Sequence, residues 1–496
     1  MTEGWLGLLG HIIRAAGHRG RATALTIAAS ASAGLPAVAG DWTISPSVSV
    51  ATTFTDNANS ATDREDRDSD YILSATPAIS VAGRGGRLSV NLNYSHSQFL
   101  SGLGATDDSA TDSLAANGRA ELYDRVVFLD ATTSISRQVV DSAQQVSTVD
   151  TGSDTNRTTV MTARAEPFFL HHFGTWLETE TRSTFGLTRS RADEISDTKT
   201  LGESFTFNSG RRFSILTFSG GFEKTRISRD DDNPRTIETT ADTSFRLRVH
   251  RKVSLLSSIG WENIDDPTLT DPPKGVTWSV GVSTQPSSRS SFEMTYGREF
   301  QTQSVSMAAN YLLSSRSSIS ASYSESITTS QQILNDALDF IVDDGTGTLI
   351  DSRTGEVYDP NNPNFDFQNS LFRRKLFSLS VNATRRRTSY AGGFSWERRK
   401  TDTTGITETV TSVDMSASRT INRRLSGTLT ASYVNQDFGT TDERRDHTVS
   451  LAAFLTYALM KNTNARLTYS RRDTRSSEGV NNFNDNTVTL SLTRTF

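Results

Sequence analysis

Cysteine is missing from all 496 residues. No thiolate can therefore hold a metal or a haem, and no disulfide can staple a small core. Long apolar runs are equally scarce: beyond the N-terminal stretch no segment of about 18 hydrophobic residues occurs, and mean hydropathy is -0.43. Helical membrane spans are excluded on that ground. Hydrophobic residues make up 35% of the chain, without the Leu, Ile and Val clusters that fill a large two-layer soluble core. Positive charge is not in surplus either. The 51 Lys and Arg stand against 56 Asp and Glu, a net charge of -5, which gives no electrostatic case for nucleic acid. No linker interrupts the chain, so its length reads as one large unit rather than a string of domains.

What the sequence does contain is alternation. Val488, Leu490 and Leu492 are interleaved with Thr487, Thr489, Ser491 and Thr493, and the chain closes on Phe496. A period of two is a strand with one apolar and one polar face. From Trp42 onward about 22 such segments follow one another, most of about 10 to 14 residues, long enough to cross a bilayer as tilted strands. Pro46, Pro77 and Pro167 fall inside proposed strands; read as bulges or strand starts, they set the expected count at 20–22.

The connectors sort by length. Tight links such as Gly83–Gly86, Asp124, His250–Arg251, Arg385–Arg386 and Met460–Lys461 alternate with long, mostly acidic ones at 56–69, 139–154, 229–234, 265–274, 329–369 and 473–485. Short turns at one end and long loops at the other are the layout of an outer-membrane barrel, with the short turns and both termini in the periplasm. The expected fold is therefore an all-β, transmembrane, antiparallel up-and-down β-barrel of about 22 strands. Because the first strand starts within a few residues of the presumed processing point, the expectation includes the absence of an N-terminal plug domain, and with it the exclusion of energised uptake.

The N-terminal residues 1–39 read as an export signal, with Arg14, Arg19 and Arg21 before an apolar stretch and Ala37-Val38-Ala39 as a small-x-small cleavage pattern at Ala37 and Ala39. The alternative is a short membrane-anchoring helix beginning at Trp5. Residues 40–496 form the barrel. Val488, Leu490, Leu492 and Phe496 match the C-terminal insertion signal with which such barrels engage the assembly machinery; Arg494 departs from that pattern and is expected to snorkel at the periplasmic rim.

Parity places Val253, Leu255, Ile259 and Trp261, then Phe377, Leu379, Val381 and Ala383, then Tyr390, Phe394 and Trp396, then Leu425, Leu429, Ala431 and Tyr433, and then Val449, Leu451, Ala453, Leu455 and Tyr457 on the lipid face. The opposite face receives Glu178, Glu180, Arg182, Arg246, Arg248, Glu262, Glu293, Glu397, Arg399 and Arg466, the candidate lumen-lining residues. A charge turned toward lipid costs about 2–4 kcal/mol at the midplane. The 41-residue connector 329–369 is too long for a plain link; it begins with apolar Ile333-Leu334 and Leu338-Phe340-Ile341 and contains Gly-bearing turns suited to a hairpin. It reads either as a constriction folded over or into the pore or as an external knob.

Catalytic chemistry is not expected. Of seven histidines, His11 and His18 lie in the signal, His171, His172 and His250 in short turns, and only His96 and His447 near the outer half, so no Ser-His-acid triad gathers at one rim. Asp-rich loops at 63–70 and 230–232 lack calcium-loop spacing and read as solvated. No cofactor and no metal site is expected.

The opening of the barrel resembles a known family. Ile44-Ser45-Pro46-Ser47-Val48-Ser49-Val50, Phe54-Thr55-Asp56-Asn57, Asp70-Tyr71-Ile72, Thr76-Pro77-Ala78-Ile79-Ser80, Gly83 and Leu92-Asn93-Tyr94 follow the pattern of the PEP-CTERM system-associated outer-membrane β-barrels. Phe128-Leu129-Asp130-Ala131 and Asp344-Gly345-Thr346-Gly347 are also similar. The resemblance implies a channel or structural partner in exopolysaccharide export, with periplasmic export proteins, lipopolysaccharide and the barrel-assembly machinery as partners. A scaffolding barrel that anchors secreted polymer without conducting, and a general porin, are the alternatives.

Overall fold

The computed structural model describes residues 40–141, 144, 156–192, 195–230, 235–267, 269, 272–330, 332–333, 341–343, 349–351, 371–401, 404–439, 444–478 and 482–496. Its strands are β1 (Gly40–Thr55), β2 (Asp70–Gly85), β3 (Leu88–Ser101), β4 (Ser109–Tyr123), β5 (Val127–Val139), β6 (Arg157–Phe173), β7 (Leu177–Ser190) and β8 (Thr198–Ser209). There follow β9 (Leu216–Arg229), β10 (Thr236–His250), β11 (Val253–Asp265), β12 (Lys274–Ser287), β13 (Ser290–Glu299), β14 (Thr302–Ser314) and β15 (Ser317–Thr328). A two-stranded hairpin, β16 (Ile341–Asp343) with β17 (Leu349–Asp351), stands apart in the long connector. The last strands are β18 (Phe372–Arg385), β19 (Thr388–Thr401), β20 (Thr407–Thr420), β21 (Leu425–Asp437), β22 (Arg445–Met460), β23 (Thr463–Ser476) and β24 (Phe483–Thr495).

Apart from the hairpin, each strand pairs antiparallel with its chain neighbours, and β1 pairs with β24, closing a 22-stranded cylinder. Closure leaves no unpaired sheet edge, the condition for crossing a bilayer with strands. Barrel strands run from 10 residues in β13 to 17 in β6, which suffices to cross. No helix among the described residues is long and apolar enough to span a membrane.

The strand ladder sorts the side chains. Cross-strand partners share a face, so a chain of register pairs carries one face around the whole wall. One face bears Leu255 (48% exposed), Ile259 (59%) and Leu429 (63%), together with two bands of aromatics. Tyr71, Trp261, Trp278, Tyr296, Tyr433 and Tyr469 sit toward the long-loop end, and Tyr311, Tyr390, Tyr457 and Phe496 toward the short-turn end. An apolar outer band with an aromatic girdle at each interface is what a bilayer selects. At the short-turn end Trp42 lies over Gly83, where an added Cβ would come within 2.3 Å of the indole; the glycine makes room for a girdle residue.

The prolines correct one expectation. Pro46, Pro77 and Pro167 are neither bulges nor strand starts, and the barrel keeps all 22 strands. Between β2 and β3 the ladder is interrupted from Ala75↔Gln98 to Ala78↔Ser95, and between β6 and β7 from Ala165↔Phe185 to Phe168↔Arg182, with the register unchanged on resumption. Proline lacks only the N–H of one side of the strand. On the other side Pro77 still pairs with Val48 and Pro167 with Leu129.

Packing is uneven along the barrel axis. Inward residues near the long loops, among them Asp70, Thr236, Glu262, Glu397, Arg399 and Asp485, are buried, whereas Arg246, Arg248, Ser418 and Thr420 near the short turns are exposed. Loops fold in at the outer end. Asp266, which follows β11, is fully buried against Arg229 at 3.6 Å and accepts from the Thr236 hydroxyl, both on inward positions. Thr329 and Ser330 are buried, and Gln332 donates from Nε2 to Glu238 Oε1 at 3.5 Å, so the start of the long connector turns toward the lumen face of β10. Leu269, Leu371 and Ile264 pack together at the rim with Phe300 and Ile327.

Candidate functional site

The inner wall is the candidate site, and its dominant chemistry is the hydroxyl group. Five of the six inward positions of β15 are serine, Ser318, Ser320, Ser322, Ser324 and Ser326, and the sixth is Thr328. Hydroxyls bridge neighbouring strands at many points of the circumference. Thr53 and Thr489 stand 2.8 Å apart, Ser258 and Ser279 2.6 Å, Ser320 and Ser380 2.6 Å, Ser395 and Ser412 2.8 Å, and Thr448 and Thr474 2.9 Å. Each hydroxyl has one donor and two acceptor sites, so a bridged pair retains capacity for water or a polar solute. The wall is thereby uncharged and hydroxyl-lined over broad sectors.

The ten charged residues assigned inward from the sequence all lie on the face opposite the exposed aliphatic band, as the register chains dictate. Their contacts divide them. Arg182 donates to Glu180 Oε1 at 2.8 Å, Asp130 Oδ2 at 3.1 Å and Glu166 Oε2 at 3.3 Å, and its guanidinium lies 4.1 Å from the Phe168 ring centroid. Arg119 joins by a bidentate pair to Asp130 at 2.6 and 2.7 Å. Glu178 meets His172 Nε2 at 3.1 Å. Arg246 reaches Glu293 at 2.7 Å although three strand intervals separate β10 from β13, and Arg248 donates to the Ser214 carbonyl. Near the outer end Arg374 grips Glu397 at 2.7 and 2.8 Å while Arg399 donates to it at 2.7 Å. Glu262 is buried on β11, and Arg466 lies 4.5 Å over Phe454.

Arg119, Asp130, Glu166 and Arg374 are partners that the sequence reading did not assign to the lumen. The alternation in their strands carries the same parity signal, and the adjacent-strand register supplies the rest. The Arg229–Asp266 contact had no such signal, because it joins a loop to the wall.

Of the C-terminal signal, Val488, Leu490 and Phe496 are exposed on the outward face. Arg494 shares that face and sits 5.2 Å over the Phe496 ring, while the Phe496 amide donates to the Pro46 carbonyl at 2.8 Å. Ala37 and Ala39 lie outside the described residues. Among the described residues, no three His or carboxylate side chains gather where they could share an ion.

Three comparisons bear on the class. The family model "Putative beta-barrel porin 2" matches residues 385–496. A comparison with curated protein sequences returns no match. Among solved structures, the chain is similar in fold to a ferric enterobactin receptor of Pseudomonas aeruginosa in complex with enterobactin, at 11% identity and TM-score 0.53, covering 91% of this chain and 81% of that one. The ferric-catecholate import receptor Fiu of E. coli K12 gives 11% identity, TM-score 0.51 and coverage of 91% and 81%. The siderophore receptor PirA of Acinetobacter baumannii gives 9%, 0.50, and 91% and 80%. At such identities the likeness is one of fold.

That likeness corrects the expectation of a fold class without an N-terminal plug domain. The matching barrels belong to receptors whose barrel carries such a plug, and 22 strands enclose a lumen of the size that outer-membrane transporters fill with one. A first strand at Gly40 therefore does not set this fold apart from theirs, and the exclusion of energised uptake drawn from it falls. The porin-family match and the large closed barrel support an outer-membrane channel or porin, and the chain is an outer-membrane β-barrel in fold and location.

Proposed function

We propose that the barrel is a non-enzymatic channel for a neutral, hydroxyl-rich polymer, serving exopolysaccharide export in a PEP-CTERM-type envelope system. The observation that carries this reading is the serine- and threonine-lined wall. A polysaccharide exchanges hydrogen bonds with water continuously, and a wall of hydroxyls offers the same donors and acceptors without fixed charge to hold it. Several of the charges that do face inward are matched by opposite ones, as around Arg182 and Glu397. Periplasmic export proteins would meet the short-turn end, where the inner wall is open.

The packed outer half favours a second reading, a scaffolding barrel that anchors secreted polymer or partner proteins without conducting; a general porin is the third. Reconstitution of the full chain in planar bilayers separates them. Stepwise ion current that neutral dextran blocks from the short-turn side is the expected result. A silent bilayer with correctly folded barrel would favour the scaffold, and current insensitive to dextran would favour the general porin.

A further inference from the structure

The outward face of β15, β18 and β19 carries a ladder of matched rows. Tyr323 pairs with Phe377 and Phe377 with Trp396, an aromatic row across three strands. Two residues nearer the long loops, Lys375 lies opposite Arg398, and two further on Arg373 lies opposite Lys400. Successive rows are about 7 Å apart and partners in a row about 5 Å, so four basic side chains are rooted in a compact square of wall just beyond the aromatics.

Like charges placed directly opposite destabilise a sheet, and only part of this square is neutralised from within. Lys375 binds Glu325 at 3.0 Å, and Glu325 also accepts from the Tyr323 hydroxyl. Arg373 donates to Thr302 Oγ1 at 2.5 Å and to the Phe300 carbonyl at 3.2 Å. Arg398 and Lys400 are exposed and meet no carboxylate among the described residues.

The geometry points to a site for the phosphate groups of a phosphorylated glycolipid in the outer leaflet. The square is on the membrane side of the wall, one row outside the aromatic girdle. Aromatics mark the headgroup boundary, and the level just beyond it is where lipid phosphates lie. Arginine presents a fork that matches phosphate oxygens, and lysine adds a point charge. A soluble acidic partner has no reason to require the aromatic row below, whereas an acyl-bearing ligand rests on it.

The test uses the full chain in detergent, with bisphosphorylated lipid A as probe and native mass spectrometry as readout. One retained lipid A is expected, with affinity about tenfold lower for monophosphorylated lipid A and for the double variant Arg398→Gln with Lys400→Gln. The charge-preserving exchange Arg398→Lys with Lys400→Arg should keep most of the binding. Lys224→Gln with Arg226→Gln, at another outward cation pair, should leave it unchanged; heat-dependent gel migration verifies that every variant is folded. Equal retention by the native chain and the Arg398/Lys400 double variant, or no retention by either, overturns the proposal. Release by millimolar inorganic phosphate also overturns it, by assigning the cations to a free anion. Because this readout is independent of current, its failure leaves the channel reading untouched.

Discussion

Thr55 donates a 2.9 Å hydrogen bond to Asp485 across the seam where the first and last strands meet. That seam has nine paired positions, Ser47 to Thr55 against Thr495 to Thr487, whereas β1 pairs with β2 over sixteen. Around Thr55 the seam is reinforced from the loops: Asp56 accepts from the amide and side chain of Asn486, and Asn57 donates to the Asn484 carbonyl at 3.0 Å. Removing a buried hydrogen-bonded partner costs about 1–3 kcal/mol. Asp485→Ala should therefore lower the temperature at which the barrel loses its compact migration on gels, and Asp63→Ala, in the exposed part of the 56–69 loop, should not.

The inward cluster around Arg182 makes an electrical prediction. Its guanidinium faces three carboxylates, Glu180, Asp130 and Glu166. Arg182→Ala leaves those carboxylates with one fewer counter-charge, so the reversal potential in a salt gradient should shift toward cation preference. An unchanged potential would place the cluster away from the current path.

Deleting residues 335–362 tests the long connector. Its described start turns inward through Thr329, Ser330 and Gln332. The deletion should raise single-channel conductance severalfold; unchanged current would argue against a constriction.

Parity of the wall can be checked by placing one charge on either side of the same strand. Leu255→Arg puts a cation into lipid at a cost of about 2–4 kcal/mol near the midplane. Ser258→Arg puts it into the wet lumen and should change stability little. Urea-unfolding midpoints in lipid vesicles read the difference, and equal destabilisation would contradict the face assignment.

Much of this architecture was legible in the chain. The first strand, Gly40–Thr55, begins within two residues of Trp42, where the alternation starts, because alternation needs only local residues to declare itself. The ladder then carries a face assignment from strand to strand without further information. Contacts that depend on curvature or on loops were not legible. Arg246 reaches Glu293 past two intervening strands, and Asp266 turns back into the lumen; neither has a periodicity that would announce it. The prolines misled for a related reason: a lost donor reads as a break in a single strand, yet in a closed wall the neighbour on the other side holds it in place.

The outer rim is not level. Between β13 and β14 only Phe300 and Gln301 make the turn, both at positive φ of 50° and 60°, the two-residue geometry that matches strand twist. Left-handed conformations cost non-glycine residues about 1–2 kcal/mol each, and the Arg373 and Gln301 side chains tie this corner to its surroundings at the Phe300 and Pro272 carbonyls. The palisade of longer connectors consequently has a low sill at this corner, beside the basic square on β18 and β19. A strand of polymer emerging there would be laid toward the glycolipid surface instead of being launched into open medium.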